Sequence, residues 1–565
     1  VMGLEKLLRR KPLWVFKQEA DASELQREYG FWSLLAFGIG GTVGSGIFVL
    51  SGQIATNMAG PATCISWLIA GLCCAVTALA YCELAAILQS PGSTYAFSYY
   101  GLGEIYAIIS AYLLTLEYGV SGAAVARSWG DKLAFWINAN GWMDCPNDNC
   151  WANSIGGTSI NLGACFISLL MVILLSRGVK MEKNLINILV VIKVGLVFFV
   201  IIAGAVFAQG DNLTPFVPQP NTAHNGSTDD SMTGGMNGIL LGATSAFFGY
   251  IGFDEVACMS GEAKRPKRDV PLAIIATIVS ITVLYVSASL VLTAMVPYDQ
   301  IDQNEGFGSA FLYVGSNACM QITVIGEILV VLPTVVLVSY APQARVLVSA
   351  ALDGQVPGVF AKVNSKGTVV YSVWVSGILM TLIATFVPFA NLNDLISGGI
   401  LFSFILTNMS LTLTRTRQKG KLPLALMTIS MGIVCFIINK ADMTSTVSKV
   451  FVSIFGAASL GLLCYLMYKY DFNTDIDTFK VPGVPLVPAV AIFVNWFLLT
   501  QLSWLGLGLV AALIGFALVS YMFYGYRKSV DFETLEDAAQ IESQICGIDA
   551  ITKTTSVDGS APPHV

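Results

Sequence analysis

The chain has 565 residues, of which 55% are hydrophobic and only 12% charged. A soluble domain carries about 25% charged residues, so this much apolar surface requires lipid around it and the class is an integral membrane protein. The formal net charge of −6 offers no nucleic-acid footprint, and the two histidines, His224 and His564, leave no His-based metal site or Ser/His/Asp arrangement to seek.

Residues 1–32 read as a cytoplasmic N-terminal segment, polar and basic from Lys6 to Arg27, without the charged-then-apolar order of a cleavable signal peptide; Val1 rather than Met stands first. Apolar runs of roughly 17 to 26 residues follow, near the ~20 that cross the hydrocarbon core. The first five expected spans are Ser33–Ile54, Thr63–Leu88, Leu102–Ala126, Asn161–Ser176 and Leu185–Ala208. They form a first unit, 33–208, which a polar loop, 209–236, joins to a second unit, 237–414. That unit holds Asn237–Val256, Pro271–Val296, Gln321–Ser349, Val369–Phe389 and Leu392–Leu413. Region 415–526 adds Leu422–Ile438, Phe451–Met467, Val484–Gln501 and Leu505–Tyr526, and 527–565 reads as a solvated, disordered cytoplasmic tail. The expectation is an all-α membrane protein of about fourteen transmembrane helices.

Charge gives the orientation. With the N-terminus in the cytosol, all but five of the 30 Lys and Arg fall on the cytosolic side; Arg127, Lys132, Lys440 and Lys449 fall outside, and Lys193 lies within a span. This is the positive-inside pattern, and an even number of spans places both termini in the cytosol. Cys145 and Cys150 then share an external polar loop (DCPNDNC) where a disulfide can form. The N-glycosylation sequons at Asn212 and Asn225 also fall outside, which favours the plasma membrane or another secretory-pathway membrane.

Two spans carry signs of interruption, although the glycines of the first also fit a packing face of the small-xxx-small type. The first contains GIGGTVGSGIF from Gly38 to Phe48, and each glycine in a helix interior costs up to about 1 kcal/mol relative to alanine. The sixth contains FFGYIGFDE from Phe247 to Glu255. Unwound backbone survives at membrane depth only where it is buried in protein or lines a cavity. Freed N–H groups leading to Ile47 attract an anion, and freed carbonyls around Ile39 attract a cation. A zwitterion has one group for each. Each interrupted span is the first of a set of five, and matching interruptions in two halves point to the midplane site of a secondary transporter. An odd number of spans per half makes the halves inverted repeats.

Charged residues inside spans point to cavities or partners. Lys193 lies about 12 Å into span five at 1.5 Å per residue, and Glu117 in span three is its expected partner, a pair that either couples protons to transport or serves as a static structural ion pair. Glu83 sits near the inner end of span two, where it can reach the interface, and Asp254 and Glu255 follow the sixth-span break. Glu327 in span eight has no local partner and is read as meeting the positive side chain of a substrate, or as lying at the rim of an external vestibule.

Several segments together resemble the cationic amino acid transporters of the amino acid–polyamine–organocation superfamily. They are GTVGSGIF from Gly41 to Phe48, YCEL from Tyr81 to Leu84, PGSTY from Pro91 to Tyr95, LEY from Leu116 to Tyr118, GYIGFD from Gly249 to Asp254, EAKRPKRDVP from Glu262 to Pro271, and Gln343-Ala-Arg345 followed by Asp353-Gly354. The resemblance runs from about Leu4 to Tyr526. It implies a LeuT-like fold, a 5+5 inverted repeat with four added helices. It also implies a substrate carboxylate on the backbone amides of Thr42, Val43, Gly44, Ser45 and Gly46. The ammonium would meet carbonyls near Ile39 and from Phe248 through Gly249 and Tyr250 to Ile251. Lys193 resembles the family lysine that replaces a sodium ion. Glu327, where relatives usually carry a small uncharged residue, and Pro333 depart from the pattern.

The expected function is sodium-independent, proton-coupled alternating access for L-amino acids, cationic ones (arginine, lysine, ornithine) first. The alternatives are a neutral amino acid or polyamine transporter of the same superfamily, or an amino-acid sensor with little flux. No cofactor or metal is expected. An enzyme is disfavoured, since no nucleophile–base or metal-ligand cluster appears at membrane depth, and a primary pump lacks its GxxxxGK[ST] loop.

Overall fold

The computed structural model describes residues 8–22, 27, 29–90, 92–142, 154–155, 158–177, 183–219, 223–224, 227–303, 305–362, 369–472 and 478–530. Cys145, Cys150, Asn225 and the tail from 531 onward lie outside the described residues. Lipid offers backbone groups no hydrogen-bond partner, so the spanning chain is helical. The described strands are two short antiparallel pairs in loops, Ser154–Ile155 with Thr158–Ser159 and Ala223–His224 with Ser227–Ser231.

Ten described helical stretches are long and apolar enough to cross a membrane. One of them, Phe31–Leu88, is a hairpin rather than a rod. Trp67 Nε1 donates to Ser51 Oγ at 3.2 Å although 16 residues separate them; a straight helix would set them ~24 Å apart. The turn is Gly60, at φ +59°. Three shorter apolar helices, Leu162–Ser176, Val370–Phe386 and Leu486–Leu499, complete the fourteen expected spans.

We number these spans in chain order. α1 begins with Phe31–Thr42, α2 is Thr63–Leu88, α3 Glu104–Ala139, α4 Leu162–Ser176, α5 Lys183–Val206, α6 Gly235–Cys258 and α7 Pro266–Met295. α8 is Asn317–Leu352, α9 Val370–Phe386, α10 Phe389–Arg415, α11 Lys421–Lys440, α12 Thr446–Lys469, α13 Leu486–Leu499 and α14 Trp504–Lys528. Local chemistry sets several ends. Asn161 caps α4 by accepting from Ala164 N–H at 2.8 Å, and Ser503 caps α14 by accepting from Gly506 N–H at 3.0 Å.

The packing shows the repeat. α1 touches α6, α2 packs along α7, α3 along α8 and α4 along α9, each helix against the one five positions later. α3 and α8 also share a wide π-type turn, Thr115–Val120 in one and Glu327–Val331 in the other. Such turns often mark functional sites. α12 and the lipid-facing stripe of α5 expose large apolar side chains such as Phe451, Ile454, Val191 and Ile202, as a bilayer-facing surface does.

One boundary differs in substance. The third span was expected to end at Ala126, but α3 continues to Ala139. Arg127 and Lys132, read as external loop charges, are therefore buried in it. Each has local compensation: Arg127 lies 3.7 Å from Asp131 and donates to the Thr385 carbonyl at 3.0 Å, and Lys132 pairs with two glutamates.

Candidate functional site

The glycine run of α1 has two roles. Gly38, Gly40 and Gly41 remain helical and serve close packing. A Cβ would meet Thr277 Oγ1 at 2.5 Å from Gly38 and Val190 Cγ2 at 2.6 Å from Gly40, and from Gly41 it would strike the Glu255 carboxylate. The break itself is short. The helix ends at Thr42, Val43 is extended (φ −72°, ψ 102°), and the chain coils again from Gly46. The interruption is thus narrower than glycine density suggested, because neighbours crowd the first three glycines and hold them in the helix.

The second break is built differently. Helix Gly235–Ala246 tightens into a 3₁₀ turn at Phe247–Tyr250, and Ile251 follows with φ −56° and ψ 134°. Gly252 then takes φ +120°, a conformation L side chains rarely adopt. A Cβ there would also lie 2.6 Å from Thr42 Oγ1. One turn away, a Cβ on Gly46 would run into the Cα of Gly249. The two breaks therefore rest on each other, backbone to backbone.

Between them and α3 and α8 lies a small cavity of about 20 Å³. Gly41, Thr42, Gly44, Ser45 and Gly46 form its α1 wall, and Phe248 and Ile251 its α6 wall. Ser121 and Val125 of α3 and Val335 and Ser339 of α8 close it, each pair one helical turn apart. That is room for about one water molecule, so an amino acid enters only when the surrounding helices part. The first N–H groups of a helix have no intrahelical acceptor, so those around Gly46 are available to an anion. Ser45 Oγ is buried beside them with no hydrogen-bond partner among the described residues. Among the described residues lining the cavity, none is charged.

Of the expected binding residues, Thr42, Gly44, Ser45, Gly46, Phe248 and Ile251 line the cavity. Ile39, Val43, Gly249 and Tyr250 stand behind it. The Ile39 carbonyl accepts from Val43 N–H at 2.9 Å, Gly249 packs on Trp67 and Gly46, and Tyr250 OH donates to the Trp67 carbonyl at 2.8 Å. Sequence reasoning missed Gly41, Ser121, Val125, Val335 and Ser339. The available signal was a small-residue stripe, Ser121 with Val125 and Val335 with Ser339, at four-residue spacing on the spans that carry Glu117 and Glu327.

The charged residues pair otherwise than expected. Lys193 is fully buried, and its Nζ donates to the Gly40 carbonyl at 2.8 Å. Its electrostatic partner is Glu255, which also abuts Gly41; no ion pair joins Lys193 to Glu117 among the described residues. Glu117 instead accepts from Ser403 Oγ at 3.4 Å through Oε2, and its buried Oε1 has no hydrogen-bond donor among the described residues. It interacts with Asp254 and Glu255, and Tyr118 OH donates to Asp254. The reason is geometric: α5 leans its lysine onto the end of the first half of α1, while Glu117 faces the α6 break and α10.

Glu327 is the second correction. It is fully buried and lies 2.6 Å from Lys132 Nζ, so its charge is met within the protein and it does not line the cavity. Its cation comes from the part of α3 beyond Ala126, which the sequence places outside the membrane. Glu83 does not reach an interface either. Arg415 grips it through Nε at 2.5 Å and Nη2 at 2.7 Å, and Val481 N–H adds a bond at 2.7 Å. Asn212 is partly buried and donates to the Ala294 carbonyl at 2.9 Å.

Comparison with known proteins agrees with this geometry. The family model described as amino acid permease matches residues 29–526. The methylthioribose transporter of Bacillus subtilis (strain 168) is 34% identical over 74% of this chain and 87% of its own. The branched-chain amino acid permease of the same organism is 31% identical over 89% and 94%. Cationic amino acid transporter 1 of Arabidopsis thaliana is 30% identical over 90% and 84%.

Proposed function

Because the chain belongs to the amino acid permease family, we propose that it is a secondary transporter holding an L-amino acid between its two broken helices and moving it by alternating access. The observation that carries this is the abutment of the breaks at Gly46 and Gly249, beside a cavity with the unpartnered Ser45 hydroxyl. The substrate carboxylate is assigned to the N–H groups of Gly44 to Gly46 with Ser45 Oγ. Its ammonium is assigned to carbonyls of Gly41 and of the Phe248–Ile251 turn.

The small, uncharged lining supports a neutral side chain best. Val125, Phe248 and Val335 offer an apolar surface, and Ser121 and Ser339 two hydroxyls. A second reading, a cationic side chain, is favoured by the orphan Oε1 of Glu117, one turn from Ser121, and by the relatives named cationic amino acid transporters. In both, the Lys193 ammonium on the Gly40 carbonyl supplies the positive charge that a sodium ion would bring, which supports sodium-independent transport. The buried carboxyls Glu117, Asp254 and Glu255 are the candidate proton carriers. Both termini are assigned to the cytosol, in the plasma membrane or another secretory-pathway membrane.

Uptake of labelled leucine, alanine, arginine, lysine and putrescine into proteoliposomes, at two pH values and with and without sodium, tests this. Saturable, sodium-independent uptake is expected, with leucine or alanine ahead of arginine. Arginine ahead of both would support the second reading. Saturable binding with negligible flux would overturn transport in favour of a sensor.

A further inference from the structure

The described parts of both terminal regions meet at one end of the bundle, where Arg9 Nη2 donates to Ser529 Oγ at 2.6 Å. The segment between α7 and α8, residues 297–316, lies at the other end, the outer one in the orientation proposed above. Lys132 is fully buried there. Its Nζ lies 2.6 Å from Glu327 Oε2 on α8 and 3.4 Å from Glu305 Oε2 on the segment. It also donates to the Glu305 carbonyl at 3.3 Å. The first of these links joins two packed helices; the others tie a connecting segment to them.

The same segment lies over the second half of α1, just beyond the substrate cavity. Phe307 packs edge-on against Phe48 with ring centroids 6.0 Å apart. Thr56 Oγ1 donates to the Ile301 carbonyl at 3.3 Å, and a Cβ on Gly52 would lie 2.7 Å from the Asp302 carbonyl. Residues 301–303 and 305–307 thus bridge α1 to the α3–α8 pair. If α1 moves away to admit substrate from this side, the Lys132–Glu305 link has to give, while Lys132–Glu327 can stay.

The charges do not balance. Two buried carboxyls share one ammonium; Asp302 on the segment and Asp131 on α3, itself 3.7 Å from Arg127, are the further charged groups nearby. An unpaired buried carboxylate is costly, and protonation relieves it. We propose that Lys132, Glu305 and Glu327 form a second proton-binding site, separate from the substrate cavity, which latches residues 297–316 across the outer entrance and releases its proton when that entrance opens.

Glu305 shows the direction. Burial pushes its carboxyl up to about 8, with Lys132 opposing and Glu327, Asp302 and Asp131 adding to the rise. Freed into water, a glutamate titrates near ~4.3. The closed state therefore binds a proton that the open state loses. Its added stability is complete below ~4.3 and disappears as pH rises through about 8. Within that window each pH unit raises the open-to-closed ratio up to about tenfold.

The test uses the full chain in sealed vesicles with Thr56→Cys, labelled from the outer face by a membrane-impermeant maleimide with and without Glu305→Gln, the adduct being read at residue 56 because the chain holds twelve cysteines of its own. Dividing the two rates at each pH cancels the ionisation of the new thiol. Between pH 5.5 and 7.5 the ratio should rise at least tenfold, toward a ceiling of about 100-fold. Glu327→Gln, which leaves one carboxyl per lysine, should flatten the labelling profile as Glu305→Gln does, and serves alone if Glu305→Gln fails to fold. A ratio that changes less than twofold, or a rise that survives in both variants, overturns the latch. Labelling needs no flux, so a failure to transport amino acids would count against the proposed function and not against this site. Labelling from the wrong face of sealed vesicles would overturn the orientation.

Discussion

Replacing Gly46 by alanine probes the contact on which the substrate site depends. The new methyl would be driven into Gly249 Cα and would sit 3.3 Å from Gly249 N and 3.5 Å from its carbonyl carbon. All three are backbone atoms, so no rotamer change relieves the overlap, and the breaks must part toward the ordinary ~3.5–4.0 Å carbon spacing. Overpacking of this kind costs roughly 1–3 kcal/mol. Borne by the ligand-bound form, that strain weakens binding about 5- to 150-fold. Equilibrium binding of labelled substrate to purified protein in detergent measures it, with thermal unfolding followed in parallel. Gly195→Ala is the control: nothing lies within 4 Å of its Cβ, so a normal Kd and a helix stabilised by up to about 1 kcal/mol are expected. Wild-type affinity in Gly46→Ala would refute the claim that the touching breaks form the site.

Val335→Ala removes the side chain that faces Gly44, whose Cβ would lie 3.0 Å from Val335 Cγ2. It should shift preference toward bulkier amino acids by about tenfold, read in a competition panel; an unchanged ranking would remove Val335 from the side-chain subsite. Lys193→Met leaves the Gly40 carbonyl without its ammonium and Glu255 without its compensating charge. The pH dependence of uptake should then collapse, and a profile that follows the wild type would reject Lys193 as part of the coupling. Arg415→Ala strands the buried Glu83 carboxylate between α2 and α10. A loss of about 3–5 kcal/mol is expected, measured by thermal or denaturant unfolding; a change below about 1 kcal/mol would mean that water reaches the pair.

Much of this protein is legible from local sequence. Apolar length sets the spans because lipid thickness acts on each segment separately, and the interrupted helices are marked by glycine and carboxyl residues that lie side by side in the chain. Side chains that meet across the bundle carry no such mark. Glu83 and Arg415 are 332 residues apart, and nothing near Glu327 announces that Lys132 will neutralise it. Proximity within one half pairs Lys193 with Glu117, whereas the packing of α5 against α1 sets it on the Gly40 carbonyl beside Glu255. The glycine run shows the division best. Its density declared that α1 is unusual, but a glycine that packs and a glycine that breaks look identical in sequence. Only the neighbours, Thr277 and Val190 against the helical glycines and Gly249 against Gly46, decide which is which. A Cβ is excluded by whatever atom occupies its place, and that atom comes from another helix.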